Sequence, residues 1–195
     1  MITENEKKVL RMLFIAFDLE YSINQIAREC NLAPNGALKI LRKFEKAGIL
    51  KSKKIANIKS YRLDYENEKT SNVIMLALIP ELEGRLKFRF SDLKDLNRFT
   101  KACIIFGSYI ESKKEPEDLD ILFIIDKKNF NDFKKQSQIV YKTIPIKVHD
   151  VLQTKEDFIS NLKKRDKVLL DILKKGVIFW GFDEIISTIK NEYKR

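Results

Sequence analysis

The stretch Phe106–Ile125, FGSYIESKKEPEDLDILFII, limits the fold more than any other part of the chain. An apolar run, ACIIF, ends at Gly107 and Ser108. Nine mostly polar residues follow, and then Asp118 and Asp120 open a second apolar run, LDILFII. Short apolar runs bounded by a glycine and a charged loop read as strands. On a strand, residues two apart share a face. Asp118 and Asp120 therefore present two carboxylates to one spot, while Leu119 and Ile121 point the other way. Like charges so placed disfavour each other's ionisation, and a hard divalent cation removes that penalty. Without a cation the pair is a solvated strand end, the ordinary reading of an isolated Asp-x-Asp.

Gly107 permits the close approach of an anion to the backbone. The Ser108 hydroxyl and nearby backbone N–H groups could hydrogen-bond a phosphate, and Lys113 and Lys114 add positive charge in the loop. In this reading Asp118 and Asp120 hold a metal, and Gly107, Ser108, Lys113 and Lys114 hold the phosphates of a nucleotide.

Around this stretch, helical and strand patterns alternate. KNFNDFKKQS and DKVLLDILKKG read as helices, KTIPIKVHDVL and VIFWG as strands, and Thr154 with Asp157 makes a capping pattern. Ser91 is expected to cap a helix over DLKDLNRFTKA. Trp180 and the phenylalanines of VIFWGF read as core.

The first 66 residues follow a different order. Leu10, Leu13, Phe14 and Phe17 recur at helical spacing. Ser22 precedes a short helix, INQIAREC, and Asn35 and Gly36 open a third helix with Ile40, Leu41 and Phe44 on one stripe. Gly48 stands where helices commonly end. Two short runs, 50–54 and 59–63, read as a hairpin with IAN at its tip.

The net charge of +10 favours an anionic partner, although a lysine-rich background would give the same sum. Position is more informative than the sum. Between residues 39 and 62 stand nine cations, with Glu45 the only acid. Asn35 and Lys39 are the candidates for reading bases. Arg42, Lys43, Lys46, Lys53, Lys54 and Lys59 are the candidates for holding phosphates. The alternative is a docking or dimerisation module with a solvated lysine face.

Cys30 and Cys103 lack CxxC spacing and read as buried thiols of a reducing, cytoplasmic compartment. No run approaches a membrane span. Glu4, Glu6, Lys7 and Lys8 interrupt any signal-peptide core.

Two resemblances follow from these residues. SINQIARECNLAPNGALKILRKFEKAGILKS resembles the core of the winged helix-turn-helix family, which implies duplex DNA as a partner, and a sequence-specific binder of this kind would dimerise. IIFGSY with DLDILFII resembles the nucleotidyltransferase superfamily that includes DNA polymerase beta, above all its minimal members, from about residue 91 to 180. That resemblance implies NMP transfer from an NTP to a protein hydroxyl or a nucleic-acid end. It also implies Mg2+ (or Mn2+) on Asp118, Asp120 and a third carboxylate from a later strand. Asp150 is the candidate, but it stands beside His149, and the strand register decides which of the two faces the site. A second departure is Glu111-Ser112, where many minimal members carry Arg-Gly.

The expected architecture is α+β: a winged helix-turn-helix over 1–66, a connecting segment over 67–90, and a nucleotidyltransferase-like α/β domain with a mixed sheet over 91–195. The expected catalytic set is Asp118, Asp120 and Asp150. The alternative is a DNA-binding regulator whose second domain is degenerate and senses nucleotide or dimerises.

Overall fold

The computed structural model describes residues 2–16, 19–112 and 116–193; Phe17, Lys113 and Lys114 lie outside them. The chain is α+β and divides into two compact units, residues 1–78 with 186–195, and residues 79–185.

The first unit begins with helix α1 (Glu4–Ile15), capped by Thr3 in a reciprocal box with Glu6. Strand β1 (Tyr21–Ser22) leads into α2 (Ile23–Glu29), where Ser22 and Gln25 form a second box. Helix α3 (Pro34–Lys46) starts with proline at its first position, where the missing N–H costs nothing. It buries Ala37, Leu41 and Phe44, and Gly48 takes φ +73° just beyond its end. Strands β2 (Leu50–Ile55) and β3 (Ile58–Leu63) form an antiparallel hairpin, and β1 adds to the far side of β3.

The hairpin tip is strained. Ala56 sits at φ +52°, a region that favours glycine because of its missing Cβ. Ala56→Gly should therefore raise stability by about 0.5–1 kcal/mol, the steric relief exceeding the entropy lost by a glycine. Thermal denaturation of the two proteins checks it.

Of residues 67–90, those up to 78 fall in the first unit and those from 79 in the second. Helix α4 (Glu68–Leu78) packs on α1 and buries Thr70, Ile74, Ala77 and Leu78. Its start is tied down by the Thr70 hydroxyl, which donates to the Asp64 carbonyl.

In the second unit, α5 (Gly84–Leu93) runs through Ser91, so Ser91 is not the expected helix cap. The reason is packing: Leu86, Phe90 and Leu93, spaced four and three apart, face the core, with Phe90 edge-on to Phe179 at 5.5 Å. A 3-10 turn leads to β4 (Thr100–Phe106) and the one-turn helix α6 (Ser108–Glu111). Then come β5 (Asp118–Ile125), α7 (Phe130–Tyr141), β6 (Lys147–Gln153), α8 (Lys155–Lys163), α9 (Lys167–Lys175) and β7 (Val177–Trp180); α10 (Phe182–Tyr193) begins in this unit, and its residues from 186 on are counted with the first.

The sheet order is β6-β5-β4-β7. It is mixed: β5 runs antiparallel to β4 and parallel to β6, and β7 is antiparallel to β4. One face carries Leu119, Ile121 and Phe123 into a core with residues of α5 and α7. On the opposite side α9 packs on β4, and α8 packs on β5 and β6. Trp180 and Phe179 are buried, with the Trp180 indole N–H donating to Thr100. Cys30 and Cys103 are buried thiols that are not joined in a disulfide. No helix among the described residues is long and apolar enough to cross a membrane.

Candidate metal centre and basic face

Asp118 and Asp120 share one face at the start of the central strand β5. Leu119 between them is buried while both aspartates are half-buried, and from Ile121 to Ile125 the strand is buried on both faces, so the aspartates stand where the covered part of the strand ends. Asp120 pairs with Phe106 on one side and His149 on the other. This register brings Asp118, Asp120 and His149 together, with one donor atom of each within 4.8 Å of the others. Nδ1 of His149 lies 3.5 Å from Oδ1 of Asp120 and 3.7 Å from Oδ2 of Asp118. The second oxygen of Asp118, Oδ1, accepts a 2.9 Å hydrogen bond from the Ser108 hydroxyl.

Asp150, expected as the third carboxylate, is not in this cluster. It pairs with Ile121, and alternation along β6 sends it to the opposite face from His149. There it accepts a 3.2 Å hydrogen bond from the Tyr141 hydroxyl. Burial and the neighbouring Asp150 carboxylate both push the Tyr141 phenol well above its ordinary pKa. Asp150 is the candidate from the sequence, and a shift of one residue in the β5–β6 register exchanges it with His149.

Gly107 is required where it stands. Its φ of +70° and ψ of −153° lie outside the range of L residues, and a Cβ there would overlap Oδ2 of Asp120. The turn after β4 and the Asp120 carboxylate are thus built against each other.

Beside this turn lies an open cleft of about 300 Å3, lined by Phe106, Gly107 and Glu111 and by Lys167, Val168, Asp171, Ile172 and Lys175 of α9. The α9 residues carry no sequence signal, since charges on an amphipathic helix look like any solvated face. Glu111 is turned to Lys175, 3.5 Å away. Lys175 also contacts Asp171, whose hydrogen bond is the main cause of a raised ammonium pKa.

In the first unit, Asn35, Lys39, Arg42, Lys43 and Lys46 are exposed along α3, and Lys53 and Lys54 on β2. They are not equivalent. Lys43 lies 2.7 Å from Glu6, which is nearly buried. Burial alone would raise the Glu6 pKa, but the Lys43 ammonium and the Thr3 backbone N–H hold it below the usual value. Lys59 pairs with Glu45 at 2.9 Å and lies over the Tyr61 ring. Lys51 reaches Asp64 and Glu66. Lys39, Arg42, Lys46, Lys53 and Lys54 make none of these pairs. Two residues expected to hold phosphates, Lys43 and Lys59, are therefore committed to carboxylates within the fold, 37 and 14 residues away in sequence.

A family described as a family of unknown function, DUF6932, matches residues 81–176. The matched segment contains β4, β5 and β6 with Asp118, Asp120 and His149, as well as α9. No curated protein and no solved structure matches the chain.

Proposed function

We propose that the second unit is a metal-dependent nucleotidyltransferase domain and that the first is a winged helix that binds duplex DNA. The observation that carries the first half is the fit of Gly107 against Asp120, with Ser108 donating to Asp118. A solvated strand end has no need of a glycine with φ +70° packed on its carboxylate.

Asp118 and Asp120 would hold a divalent cation, Mg2+ or Mn2+ by the resemblance, which neutralises phosphate charge when bound. The Gly107–Ser108 turn would present backbone N–H groups to phosphate oxygens, and the cleft beside α9 gives the rest of an NTP a place to lie. In transfer, an acceptor oxygen bonds to the α-phosphorus as the bond to pyrophosphate breaks. Labelled NTP incubated with purified protein and divalent cation tests this, with transfer to the protein itself or to added DNA or RNA ends as the readout.

A second reading is favoured by His149. It occupies the strand position where the resemblance implies a third carboxylate. The unit would then bind nucleotide without efficient transfer, and the protein would be a DNA-binding regulator that senses nucleotide or dimerises. Nucleotide binding with no transfer to any acceptor supports this reading over the first.

The DNA half rests on the exposed cations of α3 and β2 that stand outside the close ion pairs. Replacing Lys39, Arg42, Lys53 and Lys54 with Ala should weaken duplex binding and reduce the salt slope by about 0.9 for each phosphate that is no longer neutralised. Lys43→Ala should leave that slope nearly unchanged and lower Tm instead, because it strands the Glu6 carboxylate. Fluorescence anisotropy at several salt concentrations separates the two. Equal slopes for the quadruple variant and the wild type would return the first unit to a docking role.

A further inference from the structure

We infer that the Asp118/Asp120/His149 centre selects a first-row transition cation that accepts an imidazole nitrogen, in preference to Mg2+. The inference rests on the metal-site half of the proposed function and concerns which metal that site takes.

Three features carry it. First, the donor set is mixed. The parallel pairing of β5 with β6 places His149 directly beside Asp120 and turns Asp150 to the other face. Mg2+ binds oxygen donors and water almost exclusively, whereas imidazole suits Zn2+, Co2+, Fe2+ and Ni2+. Second, the distances suit a shared cation better than direct contact. His149 Nδ1 stands 3.5 Å and 3.7 Å from the two carboxylate oxygens, which is long for hydrogen bonds. Donor atoms of all three side chains lie within 4.8 Å of one another, close enough to share one cation. Third, one aspartate is already constrained. The Ser108 hydroxyl occupies Oδ1 of Asp118, leaving Oδ2 toward His149. A hydrogen bond to the non-coordinating oxygen is the kind of outer interaction that orients a metal-binding carboxylate. The centre thus offers two carboxylate oxygens and one nitrogen, and its partly exposed side chains leave positions for water or a phosphate oxygen.

The test uses the full chain, without nucleotide, titrated with Co2+ and separately with Mg2+. Visible absorption and thermal shift are the readouts. Wild type should bind Co2+ at least about a hundredfold more tightly than Mg2+ and show ligand-field bands. His149→Asp should weaken Co2+ binding by about tenfold or more and change those bands, while narrowing the preference over Mg2+. Asp150→Asn should change neither readout, which separates the register from general acidity. The inference is overturned if His149→Asp leaves Co2+ affinity and spectrum as in wild type, or if wild type binds no Co2+. Thermal stabilisation by Mg2+ with NTP, in a protein that ignores Co2+, would overturn this inference alone and leave the transferase reading standing. No response to either cation, with or without NTP, removes both.

Discussion

Asp120→Asn should abolish metal-dependent nucleotide binding and reduce any NMP transfer by on the order of a thousandfold, the scale of several kcal/mol that a bound cation supplies. The substitution keeps size and hydrogen-bonding capacity and removes one charge. Asp120 is the residue around which the centre is assembled: Oδ1 faces His149, Oδ2 packs on Gly107, and its backbone pairs with both neighbouring strands. The fold should survive, because the flanking Leu119 and Ile121 supply the buried contacts. The protein without ligand should melt at the same temperature or slightly higher, since repulsion from Asp118 is relieved. Loss of function with a preserved melt separates a site residue from a structural one. Thermal shift with and without cation and NTP, together with the transfer assay, reads both.

Gly107→Ala should also abolish binding, but by the opposite route through stability. The backbone at φ +70° and ψ −153° is hostile to a side chain, at a cost of about 1–3 kcal/mol. Overlap with Oδ2 of Asp120 adds to this. Tm should fall by roughly 5–10 °C. Pairing the substitution with Asp120→Ala should recover part of that decrease, since the obstructing oxygen is gone, while nucleotide binding stays absent. The two residues touch, so their effects should not add. Additive decreases in Tm would mean that the turn and the carboxylate are independent, and that Gly107 does not mark a built site.

That Asp118 and Asp120 act together was legible because residues two apart on a strand share a face, whichever face it is. Their distance from Gly107 was legible as well, since the pair and the glycine stand at the ends of apolar runs. The third position was not. Lys147–Gln153 is an edge strand with weak alternation, Lys147, His149, Asp150 and Val151 all being exposed, so nothing in its own residues fixes the register. Only its pairing with β5 does. The start of α5 was missed for a related reason. Ser91 looks like a cap in isolation, but the apolar spacing from Leu86 to Leu93 carries the helix through it. The basic face shows a third kind of limit. Charge counting weighed Lys43 and Lys59 equally with Lys39 and Arg42, and only the fold brings Glu6 and Glu45 to the first two.

If Asp118 and Asp120 form a metal-dependent nucleotide site, nucleotide binding must follow the cation. Isothermal calorimetry of the full chain with a non-hydrolysable NTP, in Mn2+, in Mg2+ and in chelator, measures this dependence. Binding should be saturable near one equivalent in Mn2+, weaker in Mg2+, and absent in chelator. Asp120→Asn should bind in none of the three. Binding in chelator equal to that in Mn2+, or no binding by the wild type under any condition, would contradict a metal-dependent site and return the acidic pair to a solvated strand end.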